Sequence, residues 1–446
     1  MGPDYATPGV PVPGSFEASP TVGGGGSDAA PAVNVTRWWR TLHDRELDSL
    51  VDRAVAGNPD IAEALMRVQQ ARAQEVVVLG AALPQVGISA AEAVSSGNNP
   101  TKGRVAQTLN AGVNTAGYSA VTGVAGFDAG WELDLFGKYR RELEAAVDDE
   151  QAAFEFRNAV LITVVADVAR NYVTLRGLQA EIAAVRGNIT NAQKSVNLVQ
   201  TRLDRGLTNE LDSILARREL ATLESQLPPL YAAVTDAESR IALLLGTYSH
   251  DIAGELERPG PIPHTPERIR PGQPVELLRR RPDIRLAERQ LAAATARVGV
   301  ATAALFPSVA LTAGLGVQGG PQTSAGGQLH APLWSFGPGA YWPVLDFGRL
   351  DAAIDVTEFQ ARALLINYEK VIQGAVEDVV GAIKRYREEL VRLRSLGRAL
   401  EESKRAVTVS TERYERGLTD FLNVLDAARQ EYVLETQVAV EQALVA

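Results

Sequence analysis

The sequence contains no cysteine, and its four histidines are far apart. Without cysteine there can be no disulfide, thiolate zinc site or cysteine nucleophile. No two histidines are spaced as metal ligands on one helix face, so we predict no metal site. No run of 18 apolar residues occurs, which excludes a helix that spans a bilayer. A membrane role would therefore have to use β-strands, whose sequence signal is much weaker.

An excess of basic residues is also missing. The chain has 44 Lys and Arg against 54 Asp and Glu, a net charge of −10, which argues against nucleic-acid binding. The glycines Gly314, Gly316 and Gly319 match a dinucleotide-binding pattern, but more glycine and Pro321 follow where a helix is required. We interpret them as the flexible outer end of a hairpin. We predict no enzyme and no cofactor. No apolar leader begins the chain, so we expect any export signal to have been removed.

One heptapeptide pattern occurs twice, 211 residues apart, as Arg202 to Thr208 and as Arg413 to Thr419. We call these segments the first tip and the second tip. Each ends one long helical pattern and begins another, so each is predicted to turn a helical hairpin. Gly206 and Gly417 stand in the turns, where a residue without Cβ costs least. A single copy could be an ordinary turn, but two copies in register need an explanation for the whole chain.

A very long helix is predicted to precede each tip. Lys138 to Leu203 contains no proline and would measure about 100 Å at ~1.5 Å per residue. Its apolar residues alternate steps of four and three, which predicts a coiled coil. After the tip a second helix returns, with a break at Pro228-Pro229. The coiled-coil stripe is Leu178, Ile182, Val185, Ile189, Ala192, Val196, Val199 and Leu203.

The whole pattern is duplicated. Pro59-Asp60-Ile61 returns as Pro282-Asp283-Ile284 at an offset of 223, and Trp131 returns as Trp342 at an offset of 211. We infer that each half is a helix, two strands, a long helix and a returning helix. The predicted domains are an extended arm (1–43), short helices (44–84), a β-hairpin (85–136), a coiled-coil hairpin (137–245), a linker (246–282), a short helix (283–306), a β-hairpin (307–347) and a second coiled-coil hairpin, truncated at its end (348–446).

The two strand segments are rich in small residues and have almost no charge, with a polar loop around residues 96–100 between the first two strands. They could form soluble hairpins. If they are membrane strands, four strands cannot close, and an open sheet edge in lipid leaves amides unpaired at several kcal/mol each. Several chains would then have to pool their strands, and the helices would continue as a tube. This arrangement suggests a conduit.

The chain resembles the trimeric outer-membrane efflux channels of the TolC type, and most closely their lipid-anchored members that partner resistance-nodulation-division pumps. The resemblance covers nearly the whole sequence. It rests on the motifs Gly2-Pro3-Asp4-Tyr5, Trp38-Trp39, Asn58-Pro59-Asp60-Ile61, Trp131-Glu132-Leu133-Asp134-Leu135-Phe136-Gly137, Arg280-Arg281-Pro282-Asp283-Ile284, Leu345-Asp346-Phe347-Gly348, and Gly417-Leu418-Thr419 followed by Leu425-Asp426-Ala427.

The resemblance implies a homotrimer that is mainly α with a β membrane part. Three chains would form a twelve-stranded β-barrel in the outer membrane and a twelve-helix coiled-coil tunnel through the periplasm. The short helices and the linker would form a belt around the tunnel. The partners would be a periplasmic adaptor, an inner-membrane pump and outer-membrane lipid. The family's acylated cysteine would stand where Met1 is, so we expect the lipid anchor to have been removed.

The resemblance also assigns site residues. The gate at the tunnel entrance matches Leu422, Asn423 and Asp426, and some family members carry a second acidic residue at the position of Asn423. Three Asp426 carboxylates around one axis would attract cations. Arg413, Tyr414 and Asp212 belong to the same gate set, in which Tyr414 and Asp212 match positions that tie neighbouring hairpins together in the closed state. The adaptor would dock on the tips, at Arg202, Gly206, Leu207, Thr208, Arg413, Gly417, Leu418 and Thr419.

Simpler interpretations remain open. Asp426 could be an ordinary solvated helix residue, Tyr414 could be simple packing, and Arg202 and Arg413 could cap helix ends. At the level of function, the alternatives are a channel for type I protein secretion and a coiled-coil scaffold that forms no channel.

Overall fold

A computed structural model describes residues 1–13, 35–95, 120–265, 280–321 and 328–446, so the predicted loop around residues 96–100 lies outside the described residues. In chain order the elements are a 3-10 helix (Val35–Leu42), α1 (Arg45–Gly57), α2 (Pro59–Ala81), β1 (Gln85–Ser95), β2 (Ala120–Leu133), α3 (Lys138–Asp204), α4 (Glu210–Glu224), α5 (Leu227–Leu245), α6 (Ser249–Leu256), α7 (Pro282–Ala303), β3 (Ser308–Pro321), β4 (Gln328–Tyr341), α8 (Arg349–Glu415) and α9 (Phe421–Val445).

The element order confirms the predicted fold class, a mainly helical chain with one β part and an internal duplication. The long helices α3 and α8 both contain 67 residues. The same side-chain hydrogen bond also occurs in both halves. Trp131 Nε1 donates to the carbonyl of Ala82, and Trp342 Nε1 donates to the carbonyl of Leu305, each at 3.0 Å.

The chain divides into two compact units. The first comprises Met1–Val10, Arg67–Glu155 and Ile284–Val371, and it contains all four strands. The strands form one antiparallel sheet in the order β1-β2-β3-β4, so the two halves of the duplication meet at the β2–β3 pair. Among the described residues, neither β1 nor β4 has a second strand beside it, which leaves two open edges.

The two faces of the sheet differ in chemistry. One face presents large exposed apolar side chains, and one row across the strands is Ile88, Phe127, Leu315 and Trp334. The adjacent row faces the other side and contains Gly87, Asp128, Gly314 and Ser335. Because strand side chains alternate between faces, the period-2 pattern separates a large apolar face from a small, polar one.

The glycines of the dinucleotide-like pattern lie inside β3, so our interpretation of them as a flexible outer end is wrong for Gly314 and Gly316. Gly316 pairs with Gly126 on β2. A Cβ on Gly316 would lie 2.7 Å from the Ala125 carbonyl oxygen, closer than side chains normally approach. Glycine at this position is therefore a requirement of close strand contact rather than of a loop.

The start of the chain packs within the first unit. Asp4 pairs with Arg141 at the beginning of α3. The hydroxyls of Tyr5 and Thr7 donate to Glu288 on α7, at 3.3 and 3.1 Å. Burial is the main reason that the pKa of Tyr5 rises to about 12. These contacts fix an N-terminal segment whose sequence, rich in proline, predicts only an extended arm.

The second unit comprises Pro11–Met66, Phe156–Asp283 and Ile372–Ala446. Its largest core packs the 3-10 helix and α1 against α3, α5 and α6. Trp39 and Leu42 are buried there, so the predicted arm ends earlier than residue 43. Asn58 caps α2, because its Oδ1 accepts from the Asp60 and Ile61 amides at 2.9 and 3.0 Å.

Two further predictions concern the helices of the second unit. The break at Pro228-Pro229 is confirmed, since α4 ends at Glu224 and the prolines occupy the first turn of α5. The interval predicted as a linker contains α6, which our sequence analysis missed. Within the described ranges, no helix is both long enough and apolar enough to cross a bilayer.

Candidate functional site at the hairpin tips

We call α3 with α4 hairpin 1, and α8 with α9 hairpin 2. Both tips end their first helix in the same way. Gly206 has φ +70° and Gly417 has φ +72°, a conformation that glycine adopts without steric cost. In the first tip, the Gly206 amide donates to Leu203 and the Leu207 amide donates to Arg202, both at 2.8 Å. These two bonds define a Schellman cap, and the second tip repeats them.

The outer surface of both tips is open. Leu207 and Leu418, which follow the two glycines, are 60% and 62% exposed. A Cβ on Gly206 or Gly417 would meet no atom within 4 Å. The two tips thus present a matched pair of apolar side chains to the outside of the molecule.

The two hairpins contact each other at the tips. The Arg202 guanidinium lies 4.6 Å from the centre of the Tyr414 ring, a cation–π contact, and its Nη1 donates to the Glu415 carbonyl at 3.0 Å. The Tyr414 hydroxyl lies 3.4 Å from Thr208 Oγ1, and Thr208 donates to Asp212. Thr208 therefore stands between Tyr414 and Asp212, the two residues that the resemblance assigns to tying hairpins together.

An apolar cluster connects the hairpins next to the tips. Phe421, at the start of α9, is 1% exposed, and its ring centre lies 5.5 Å from that of Tyr414. The buried members come from both hairpins, so separating the hairpins would expose them to water. They are Val199, Ala216, Tyr414, Phe421, Val424 and Leu425.

A buried ion pair joins the hairpins two to three helical turns from the tips. Arg429 Nε on α9 donates to Glu219 Oε2 on α4 at 2.6 Å. The Glu219 side chain is only 10% exposed, whereas that of Arg429 is 38% exposed. Nearby, burial raises the pKa of Tyr432 to about 12, with smaller contributions from the carboxylates of Glu431 and Glu219. Its phenol therefore stays protonated at neutral pH.

The predicted gate residues lie at the beginning of α9. Leu422, Asn423 and Asp426 are all exposed, and their spacing places them on one side of the helix. Asn423 Nδ2 donates to Thr419 Oγ1 at 2.8 Å. Among the described residues, Asp426 forms no ion pair, and Arg413 is exposed as well. The structure thus brings Tyr414, Thr208 and Asp212 together, and it leaves the side chains of the three gate residues exposed at the start of α9.

Sequence reasoning missed Glu219, Arg429 and Phe421. Glu219 and Arg429 are 210 positions apart. The apolar patterns of α4 and α9 do not predict which polar face of each helix contacts the other hairpin. Phe421 did leave a signal, because its counterpart in the first half is Glu210. An aromatic residue in the second half at the position of a carboxylate in the first half indicates that equivalent surfaces of the two hairpins differ.

Duplicated helical hairpins joined to a four-stranded antiparallel sheet are the architecture of solved outer-membrane channels. The structure described as that of the outer-membrane channel OprN superimposes with a TM-score of 0.88 at 34% identity, over 100% of this chain and 97% of that one.

Two curated relatives match over nearly their whole length. One is Nodulation protein T of Rhizobium leguminosarum bv. trifolii, 29% identical over 98% of this chain and 90% of the relative. The other is the pyoverdine export outer membrane protein OpmQ of Pseudomonas aeruginosa, 31% identical over 92% of this chain and 84% of the relative. Residues 50–247 and 274–444 match the outer membrane efflux protein family, and the chain belongs to that family. The protein is an outer-membrane efflux channel, and its family consists of transport channels rather than enzymes.

Proposed function

We propose that three copies of this chain form the exit duct of a tripartite multidrug efflux pump, and that the duct closes and opens at the tips. The observation that carries the proposal is the contact of hairpin 1 with hairpin 2, which sets both tips side by side with their leucines exposed. The sheet adds support, because its open edges at β1 and β4 need partner strands in lipid.

The tips take the role of docking surface for a periplasmic adaptor. Leu207 and Leu418 would supply apolar contact area, and Arg202 and Arg413 would supply charge beside it. The glycines of both tips have no side chain, and the space beside them is free of other atoms, so a partner could approach the backbone closely. The adaptor would connect the duct to an inner-membrane pump of the resistance-nodulation-division class.

The entrance lies on the exposed side of α9. In a trimer, Leu422, Asn423 and Asp426 of three chains would surround one axis, and three carboxylates there would bind cations and hold back anions. Asn423 is neutral, so the acidic ring has one level. Tyr414 and Asp212 would hold the hairpins in the closed position through Thr208.

We also propose that residue 1 lies at the membrane surface, where the resemblance places a lipid anchor. The α-amino group of Met1 lies 3.2 Å from the carbonyl oxygen of Phe136, shortly after β2 ends. A lipid attached to residue 1 would therefore lie beside the end of the sheet, where a membrane surface would be.

The docking role is tested in a bacterium that lacks its own outer-membrane efflux channel but retains adaptor and pump. Leu207→Ser combined with Leu418→Ser should restore drug sensitivity, because it removes apolar contact area and leaves the caps unstrained. Replacing Gly206 and Gly417 by valine should also abolish efflux, although it strains the backbone as well.

Leu243→Ser is the matched control, since Leu243 is 71% exposed and lies outside both tips. The control should preserve efflux, and trimers of all variants should be detected by native electrophoresis. Full efflux by the double leucine variant would contradict docking at the tips. Suppose that the tips cross-link to the adaptor of a type I secretion system and not to the adaptor of an efflux pump. That result would favour the alternative function, a channel for type I protein secretion.

A further inference from the structure

Two prolines lie inside β4, the strand at one open edge of the sheet. Pro332 and Pro338 are both exposed. A proline has no N–H, so it cannot donate a hydrogen bond to a neighbouring strand, and its nitrogen is tolerated where it faces away from one. The close contacts between the strands determine which way each residue of β4 faces.

The backbone groups of β3 face its two neighbours in turn. A Cβ on Gly126 of β2 would lie 2.7 Å from the carbonyl oxygen of Leu315, so that oxygen points to β2. A Cβ on Gly339 of β4 would lie 4.0 Å from the carbonyl oxygen of Ala310, which therefore points to β4. Because the direction alternates along a strand, the odd-numbered residues of β3 face β2 and the even-numbered residues face β4.

The same alternation places both prolines at the outer edge of β4. Thr312 of β3 lies opposite Gly337, and its hydroxyl donates to the Gly337 carbonyl at 3.4 Å. The odd-numbered residues of β4 therefore face β3. The even-numbered residues, which include Pro332 and Pro338, face away from β3, so the open edge lacks an N–H donor at these two positions.

The open edge of β1 has no such gap. The register with β2 directs Val86, Ile88 and Ala90 away from β2, and β1 contains no proline. The residues that face outward at the two edges also carry the side chains of the apolar face, as Ile88 and Trp334 show. A β1 strand from a second copy can therefore pair with β4 and continue the apolar face. This step rests on the trimer of the proposed function.

We propose that the pairing of β4 with β1 of the next copy, which we call the seam, lacks two ladder hydrogen bonds, opposite Pro332 and Pro338, and that this gap limits the resistance of the trimer to dissociation. Two carbonyl groups of the neighbouring β1 then have no N–H donor, in a barrel wall whose outer face contacts lipid. The seam still forms, because its other edge positions keep their donors.

The three strand pairs inside a chain have no such gap. β1 and β2 contain no proline. The proline in β3 is Pro321, an odd-numbered residue that faces the side of β2, beyond Gly319, where the pairing with β2 ends. The copies should therefore separate along the three seams before the strands of one chain separate from each other.

The test restores the missing donors. Pro332→Val combined with Pro338→Val adds two N–H groups at the outer edge of β4. Gly337→Ala combined with Gly339→Ala is the matched control, because it raises strand propensity at two positions of the same strand whose amides already face β3. A Cβ at either glycine meets no atom closer than 4.0 Å. Detergent-solubilised trimers are heated, and the fraction of monomer is followed by electrophoresis.

We expect the double proline variant to raise the midpoint temperature of trimer dissociation by about 5 °C or more, because two hydrogen bonds are gained in each of three seams. The glycine control should shift the midpoint by less than about 2 °C. Each single proline substitution should give part of the increase.

An unchanged midpoint in the double proline variant, or an equal increase in the glycine control, would overturn the inference. If the double variant does not assemble, the single variants Pro332→Val and Pro338→Val decide the outcome by the same criterion. Absence of trimers in the unaltered protein would instead contradict the proposed function. The two failures are therefore distinguished by the behaviour of the unaltered protein.

Discussion

Glu219 and Arg429 show how much a single pair of side chains contributes to the contact between the hairpins. Glu219 is 10% exposed and accepts from Arg429 at 2.6 Å. A buried carboxylate costs free energy unless a cation accompanies it, so removing one partner costs more than the pair contributes. The exposed fraction of Arg429 lets solvent screen part of this effect.

Arg429→Gln should therefore lower the free energy of unfolding by about 2 kcal/mol, below the range for a fully buried pair. The measurement is thermal denaturation of the detergent-solubilised protein, followed by circular dichroism. Arg218→Gln is the matched control, because Arg218 is the exposed counterpart in the other hairpin and its loss should cost under about 0.5 kcal/mol. Equal destabilisation by both substitutions would show that the ion pair has no special role.

Some residue-level features could be predicted from the sequence because they are local. The turn glycines Gly206 and Gly417 and the helix cap at Asn58 depend only on their neighbours in the chain. The contact of Arg202 with the Tyr414 ring could not, because it depends on how two hairpins pack side by side. The repeat pattern predicts which residues pack inside each hairpin, but it does not predict which side of hairpin 1 contacts which side of hairpin 2.

At the scale of elements, length decided what was predictable. The 67-residue helices α3 and α8 contain many heptads, so the periodicity of their apolar residues is enough to predict them as helices. The 3-10 helix Val35–Leu42 and α6 contain 8 residues each, too few for a periodic signal. The glycines of β3 indicate a loop by composition, yet they are needed where β2 and β3 approach closely.

The sheet gives a prediction at this scale. Phe127 and Asp128 are neighbours on β2 that point to opposite faces, the first to the apolar face and the second to the small, polar one. If the apolar face contacts lipid, a charged maleimide should label Asp128→Cys in reconstituted liposomes and should not label Phe127→Cys. The cysteine-free chain provides the background, and both variants should react after denaturation.

Equal labelling of the two positions in liposomes would contradict the assignment of the apolar face to lipid. Equal labelling is what we would expect of a coiled-coil scaffold that forms no channel, because a sheet in water exposes both of its faces. Quantification of label per chain by mass spectrometry gives the comparison directly.

At the scale of the whole molecule, the duplication was the most informative property of the sequence. It predicts two hairpins and two pairs of strands, and the structure confirms this fold, down to the repeated tryptophan hydrogen bond. It does not predict that Met1–Val10 packs within the first compact unit, because those contacts join residues with no common pattern.

The central claim is that the tips form the closable entrance of a conduit, with Asp426 at its narrowest part. Single-channel conductance in planar lipid bilayers tests it most directly. Asp420→Ala is the matched control, since Asp420 is another exposed acidic residue, six positions earlier and beside the second tip. Tyr414→Phe combined with Asp426→Ala should raise the conductance further, because it removes the 3.4 Å contact between the Tyr414 hydroxyl and Thr208 that would hold the hairpins closed.

Asp426→Ala should raise the conductance by about twofold or more and weaken block by added cations, because it removes three carboxylates from one constriction. Asp420→Ala should leave both properties close to those of the unaltered protein. Conductance that does not change in Asp426→Ala, or that changes equally in Asp420→Ala, would contradict the assignment of the entrance.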